Sequence, residues 1–345
     1  MSWPMVKLGD VCTINPRLPK NANPEQEVTF LAMAAVSEKG EISSQETRIL
    51  HETKKGFTYF ERGDVLLAKI TPCFENGKAT LTNNLNTQIG FGSTEFHVLR
   101  AFPDLILPEF IFYLVWNERF RIAAAKEMTG SAGQKRVSTD YLKEYKFYLP
   151  SIFEQEKIAA ALNKGYSIHR KRQQAIKLAD DFLRAKFLEM FGTPANNIHR
   201  FPTGKIRDLV DSVNYGTSAK ASIDSGEYPI LRMGNITYQG GWDFTDLKYL
   251  DLSVKEKDKF LVKEGDLLFN RTNSKELVGK TAVYEENRPM AFAGYLIRVR
   301  PNPIGNNYYI SGYLNSIHGK ITLMNMCKSI VGMANINAQE LQNIE

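Results

Sequence analysis

The chain has 345 residues, of which 43% are hydrophobic and 24% charged, a globular composition that excludes a disordered or fibrous protein. Its net charge of +6 and its pI near 9.0 favour polyanionic partners, although they do not establish one. The three scattered cysteines, Cys12, Cys73 and Cys327, exclude a disulfide framework or a zinc ribbon and predict a reducing, cytoplasmic setting.

The first 150 residues predict an α+β domain. Gly63 and Asp64 form a turn that leads into the apolar run "VLLAKI", which is typical of a strand. Residues 107–128 have the length and periodicity of a helix, with Pro108 in its first turn. The longest apolar stretch, residues 105–116, is too short to span a bilayer, and we expect no membrane association.

Residues 151–192 predict one long spacer helix. The segment contains no proline, and Ser151 followed by Glu154 forms a capping box at its start. Roughly forty residues at about 1.5 Å each would span about 60 Å. The basic "RKR" at 170–172 is explained either by a solvated helix face or by contact with phosphate. An apolar stripe along the helix calls for a helical partner, and its positions are Ile158, Leu162, Ile168, Ile176, Ala179, Leu183, Phe187 and Met190.

Residues 193–345 repeat the first domain. The phrase "FERGDVLLAKITPCFENGK" at 60–78 returns as "VKEGDLLFNRTNSKELVGK" at 262–280. A second pair of phrases begins the two copies, at 6–12 and 204–210, and a third pair near their ends aligns Gly133 with Gly332. Three blocks in one order predict two related domains in tandem, each with its own core.

Catalytic signatures are absent from the sequence. There is no phosphate-binding Walker loop, no Asn/Asp-Pro-Pro-aromatic element of the kind that holds a flipped base, and no acidic cluster with nuclease spacing. The five histidines form no metal motif with one another or with the cysteines. We therefore expect a noncatalytic protein without a metal ion or a cofactor.

The order of these blocks resembles the specificity subunits of type I restriction-modification systems over essentially the whole chain. The closest match to that family is "YKFYLPSIFEQEKIAAAL" at 145–162, where a recognition domain meets its spacer helix, and "FLRAKFLEMFG" at 182–192 resembles the end of such a helix. The resemblance implies a noncatalytic subunit whose two target-recognition domains each read one half of a bipartite, asymmetric DNA sequence. Partner modification subunits would methylate the DNA, and restriction subunits would associate through them.

Base reading needs arginine, lysine, asparagine and glutamine side chains on loops, and both repeats supply them at matching places. Gly63, Asp64, Gly265 and Asp266 are interpreted as turn residues only. In the first domain the candidates for DNA binding are Lys69, Thr71, Asn76, Lys78, Gln134, Lys135 and Arg136. In the second domain they are Asn270, Arg271, Thr272, Asn273 and Lys280, with Asn335 as a weaker candidate.

Two other readings stay open at this point. One is a methyltransferase or nuclease with an unrecognised active site, which cofactor binding would reveal. The other is a coiled-coil scaffold whose flanking domains bind proteins.

The end of the sequence adds a further expectation. Family members of full length carry a second long helix, whereas Glu345 corresponds to Lys146, just before that helix would begin. We expect the apolar stripe to be covered by a second copy of the helix, by a modification subunit or by a separately encoded segment.

Overall fold

The computed structural model of the chain describes residues 3–131, 133–330 and 333–345, so Gly332 of the third repeated block lies outside the described residues. It divides into two compact units, Met1–Arg170 and Lys171–Glu345. The long helix runs through the boundary between them. The predicted architecture, two related α+β domains joined by one long helix, is confirmed.

The first unit contains two four-stranded sheets. The strands are β1 (Met5–Lys7), β2 (Cys12–Ile14), β3 (Glu27–Leu31), β4 (Glu46–Ile49), β5 (Thr58–Glu61), β6 (Val65–Ala68), β7 (Ala79–Leu81), β8 (Ile89–Gly92), β9 (Phe96–Ala101) and β10 (Lys146–Tyr148). The helices are α1 (Leu8–Val11), α2 (Leu50–Thr53), α3 (Pro108–Trp116), α4 (Glu118–Lys126), α5 (Thr139–Glu144) and the first part of α6 (Ile152–Phe191). One sheet has the order β2-β9-β6-β7 and the other β4-β3-β8-β5, while β1 pairs with β10.

The second unit repeats this topology. Its strands are β11 (Val210–Tyr215), β12 (Tyr228–Leu231), β13 (Lys248–Leu250), β14 (Leu261–Val262), β15 (Leu267–Asn270), β16 (Thr272–Asn273), β17 (Thr281–Val283), β18 (Met290–Phe292), β19 (Leu296–Pro301), β20 (Lys328–Ile330) and β21 (Met333–Asn335). Its helices, after the end of α6, are α7 (Val254–Phe260), α8 (Asn307–Asn315), α9 (Ile317–Met326) and α10 (Ala338–Gln342).

The sheets of the second unit have the orders β11-β19-β15-β17 and β13-β12-β18-β14, and β16, β21 and β20 form a third. The pairs β3–β8 and β12–β18 are parallel, at equivalent places in the two units. Equivalent strand orders with an equivalent parallel pair are what a duplicated domain requires.

Strand β6 shows why the repeated phrase forms the centre of each unit. The turn before it places Gly63 at φ +94°, in the left-handed region that glycine adopts without strain. Alternate side chains of a strand point to opposite faces. Val65 and Leu67 accordingly pack in the core beneath α3 and α4, whereas Leu66 packs in the core of the other sheet. Strand β15, the equivalent of β6, divides its side chains between two cores in the same way.

The helix expected over residues 107–128 is two helices. Asn117 is extended, with ψ 136°, and it separates α3 from α4. Its side-chain oxygen accepts a hydrogen bond from the backbone N–H of Arg119 at 2.8 Å, so it caps the second helix. Ser316 separates α8 from α9 and caps α9 in the same manner. Periodicity alone missed this break because both helices keep apolar residues on the buried side.

Helix α6 begins with the predicted capping box. The backbone N–H of Ser151 donates to the Glu154 carboxylate at 2.9 Å, and the Ser151 hydroxyl accepts from the Glu154 N–H at 3.4 Å. The completely buried Gln155 then ties the helix to the first unit. Its side chain accepts from the Leu107 N–H at 2.9 Å and donates to the Leu105 carbonyl at 3.1 Å. The glutamine of "FYLPSIFEQEKIA" therefore anchors the start of the helix.

The two ends of α6 are packed but its middle is exposed. In the first unit the Tyr166 hydroxyl donates to the Lys39 carbonyl at 2.7 Å. In the second unit the Phe187 ring lies 5.6 Å from that of Tyr309. Of the residues expected to pack on a partner helix, Ile158 is half-buried, Phe187 packs on its own unit, and Leu162, Ile168, Ile176 and Leu183 are exposed.

Candidate nucleic-acid interface

In the first unit the two predicted groups of DNA-binding residues lie side by side. Residues 69–78 follow β6 and residues 133–137 precede α5, and together they are called the first loop pair. The Thr71 N–H donates to the Lys135 carbonyl at 3.0 Å, and the Lys135 N–H donates to the Thr71 hydroxyl at 3.0 Å. Segments about sixty residues apart thus form one surface, as base reading by loops requires.

The side chains of the first loop pair differ in how free they are. Asn76, Gln134 and Lys135 are exposed, and Lys69 and Thr71 are half-buried. The half-buried Lys78 donates from Nζ to the Met33 carbonyl at 3.3 Å. Within the part of the chain described here, the Lys69 ammonium has no hydrogen-bond or ion-pair partner.

Arg136 is committed to Glu95. Its Nε and Nη2 each donate to a Glu95 carboxylate oxygen at 2.9 Å. These bonds lower the pKa of Glu95, because they stabilise its ionised form. The Glu95 carboxylate largely cancels the charge of Arg136. A DNA contact by Arg136 would therefore require it to break its hydrogen bonds to Glu95. Lys69, Gln134 and Lys135 are the freer groups of this surface.

The buried His97 side chain links Asn15 to the first loop pair by hydrogen bonds. Asn15 accepts a hydrogen bond from the Val98 N–H through Oδ1, so its Nδ2 donates to His97 Nδ1 at 3.1 Å. His97 Nε2 then carries the proton and donates to the Val137 carbonyl at 2.8 Å. Burial lowers the pKa of His97, which keeps the ring neutral in this arrangement.

In the second unit the corresponding segments are again adjacent. Residues 271–280 and 333–337 form the second loop pair. Thr272 in β16 pairs with Asn335 in β21, and the Asn335 amide donates to the Thr272 hydroxyl at 2.7 Å. The Ile336 N–H donates to the Arg271 carbonyl at 2.9 Å, as the Val137 N–H does to the Lys69 carbonyl at 2.9 Å. The two loop pairs therefore share one backbone plan.

Three candidates of the second domain are buried. Asn270 is completely buried, Thr272 is 7% exposed and Lys280 is 8% exposed. Lys280 donates from Nζ to the Ile236 carbonyl, and burial lowers the pKa of its ammonium. Arg271 and Asn273 are half-buried and remain at the surface. The sequence could not distinguish these positions, because a polar residue at or beside the end of a strand can point toward the core or toward solvent.

Two tyrosines beside Arg271 were missed in the sequence. Tyr215 is 41% exposed and Tyr295 is 55% exposed, and the Tyr295 carbonyl accepts from the Arg271 N–H at 3.1 Å. The signal that could have found them is the repeat itself. They follow Asn15 and Glu95 by 200 residues each, close to the offset of the repeated phrases. Exposed aromatic rings are suited to stacking and to holding cations.

Neither a metal centre nor a membrane span appears in the structure as described. Across residues 3–131, 133–330 and 333–345 no three histidine, cysteine, aspartate or glutamate side chains gather closely enough to hold a metal ion. No helix within those ranges combines the length and the hydropathy needed to cross a bilayer.

Comparison with known proteins identifies the family. The chain matches the type I restriction modification DNA specificity domain twice, over residues 2–178 and 200–345. It therefore belongs to that family. Among its relatives are the specificity subunits of the type I restriction enzymes EcoAI and EcoEI of Escherichia coli, each 31% identical over 273 residues. The matched regions cover 77% of this chain but only 46% and 45% of those proteins, so the chain spans about half their length.

Solved structures share the fold. The S subunit of a type I restriction-modification system from M. genitalium is 13% identical, with a TM-score of 0.57 over 99% of this chain and 83% of that one. A chain from a structure described as "Structural basis underlying complex assembly and conformational transition of the type I R-M system" is 21% identical. Its TM-score is 0.52, over 99% of this chain and 85% of that one. These likenesses support the two-domain architecture.

Proposed function

We propose that the chain is a DNA-sequence specificity subunit that recognises a bipartite, asymmetric target, with one half read by each domain. Partner methyltransferase subunits, and restriction subunits through them, would be directed to that target. The chain itself would supply recognition and no catalysis, in keeping with relatives that are named specificity subunits.

One observation carries this proposal: the two loop pairs have the same backbone plan but different side chains. Lys69, Gln134 and Lys135 occupy the first, whereas Arg271 and Asn273 occupy the second. Lysine, glutamine, arginine and asparagine are the side chains that read base edges in the major groove. Two loop pairs with the same backbone conformation but different base-contacting side chains are suited to an asymmetric target.

Helix α6 would set the gap between the two halves of the target. Its 40 residues would span about 60 Å, close to the length of about 17 base pairs of DNA. We propose domains of 1–150 and 193–345, with the spacer helix at 151–192. A helix of a modification subunit, a second copy of α6 or a separately encoded segment would cover the exposed apolar side chains Leu162, Ile168, Ile176 and Leu183.

The test is methylome sequencing of cells that express this chain with its modification subunits. We expect a methylated motif made of two different specified halves separated by a fixed run of unspecified bases. A continuous motif, or methylation that does not depend on this chain, would contradict the proposal.

A further inference from the structure

Arg271 is the arginine of the second loop pair, and its backbone is fixed on both sides. Its N–H donates to the Tyr295 carbonyl at 3.1 Å, and its carbonyl accepts from the Ile336 N–H at 2.9 Å. The side chain consequently leaves the end of β15 from a defined point on the surface.

The guanidinium of Arg271 is held by two neutral groups. Its Cζ lies 4.8 Å from the centroid of the Tyr215 ring, and its Nη2 donates to Asn335 Oδ1 at 3.3 Å. Both groups are themselves fixed, because the Tyr215 hydroxyl accepts from the Ala338 N–H at 2.9 Å and Asn335 donates to Thr272. An arginine that is already oriented loses less conformational freedom when it binds.

The charge of Arg271 also distinguishes it from other arginines of the two units. Arginines that pair with a carboxylate are Arg48, Arg100, Arg136, Arg170, Arg232, Arg298 and Arg300. Arg271, within the described ranges, has no carboxylate oxygen within 4.0 Å. Its positive charge is therefore kept while its position is fixed.

We infer that Arg271 reads a guanine in the half of the target bound by the second domain, with Tyr215 and Asn335 as positioning residues. This inference rests on the proposed function. Arginine makes two parallel hydrogen bonds to O6 and N7 of guanine in the major groove, and no other base offers that pair of acceptors. Nε of Arg271 is buried, which leaves the two Nη groups to meet the base edge.

The experiment uses the full chain assembled with its modification subunits and the target found by methylome sequencing. Binding is measured on the natural duplex and on duplexes in which each guanine of that half in turn is replaced by 7-deazaguanine, which lacks the N7 acceptor. We expect one replacement to weaken binding of the wild-type complex roughly tenfold or more, and to have little effect on Arg271→Ala. In the methylome, Arg271→Ala should relax that guanine position alone.

Asn335→Asp is the matched variant for the positioning role. It keeps the shape of the side chain but places a carboxylate beside Arg271, whose charge it would cancel as Glu95 does for Arg136. We expect it to lose the same guanine preference although Arg271 is present, with thermal unfolding close to that of the wild type. Tyr215→Phe keeps the ring but loses the bond to the Ala338 N–H, so it should weaken the preference less than Tyr215→Ala, which removes the ring.

The outcomes separate this inference from the proposed function. If no split motif is found, the proposed function fails. If a split motif is found but Arg271→Ala weakens binding equally to all sequences, with no effect of 7-deazaguanine, Arg271 contacts phosphate and the inference is overturned. If Arg271→Ala leaves both binding and motif unchanged, the inference is overturned as well.

Discussion

Asp64 and Arg100 form a bidentate ion pair, in which Arg100 Nε and Nη2 each lie 2.8 Å from a different carboxylate oxygen of Asp64. The second domain repeats it between Asp266 and Arg300, at 2.8 and 3.1 Å. The aspartates were interpreted as turn residues only; their turn role is confirmed, but they also pair with an arginine of a neighbouring strand. Each is almost completely buried, accepts a hydrogen bond from the turn and fixes a neighbouring strand.

Removing these aspartates should destabilise each domain separately. Asp64→Ala leaves Arg100 with Glu61, whose carboxylate lies at 3.2 Å, so we expect a loss of about 2 kcal/mol. Asp266→Ala also leaves the buried Arg298 without its carboxylate, 3.9 Å away, and should cost roughly 3 kcal/mol or more.

Hydrogen exchange of the β6 and β15 amides measures the two losses independently within one chain. The exposed Asp104→Ala is the control and should change neither value. Equal protection in Asp64→Ala and the wild type would show that the pair contributes nothing to stability.

Gln155 should be essential to the start of α6. Gln155→Ala would leave the Leu107 N–H and the carbonyls of Leu105 and Pro150 without their partner, at a cost of about 2 to 3 kcal/mol. Gln173→Ala, at an exposed position on the same helix, should cost less than about 0.5 kcal/mol. Hydrogen exchange of residues 152–160 provides the measurement. Similar exchange in both variants would show that other contacts hold this end.

Phe187 should hold the other end of α6 on the second unit. Its ring packs against Tyr309, and a Cβ at Gly312 would lie only 2.6 Å from it. Because the Phe187 ring is half-buried, Phe187→Ala should destabilise this packing by about 2 kcal/mol. Phe182 is 65% exposed, and Phe182→Ala should have little effect. Urea unfolding followed by exchange of α8 amides compares them. A larger effect of Phe182→Ala would reverse this assignment.

Acid should destabilise the first unit through protonation of His97. Burial lowers the pKa of His97 below its unfolded value of 6.5, so the unfolded chain binds the proton more readily as the pH falls through that range. The unfolding free energy of the first unit should therefore decrease from pH 7 to pH 5. The decrease should be smaller in His97→Gln, which cannot titrate, and unaltered in the exposed His169→Gln. An identical pH dependence in wild type and His97→Gln would refute this role.

The sequence predicted the capping box of α6 because it is a local pattern of four residues, and it predicted the duplication because the same phrases recur along the chain. The 36-residue separation of Asp64 and Arg100 carries no such pattern, since it depends on β6 lying beside β9. Burial of Lys280 could not be predicted either, because a lysine just before a strand can reach solvent or a backbone carbonyl, and here the carbonyl of Ile236 lies within its reach. Likewise, neither spacing nor composition predicted that the two segments of each loop pair lie side by side within their unit.

The most direct test of the account compares two double variants by methylome sequencing. Gln134→Ala with Lys135→Ala alters only the first loop pair, and Arg271→Ala with Asn273→Ala alters only the second. Lys143→Ala and Lys255→Ala, exposed lysines on the same two domains, serve as controls for lost charge. The account predicts that each double variant relaxes a different half of a split motif and leaves the other half and the gap unchanged. Relaxation of both halves by one variant, or of the same half by both variants, would contradict it.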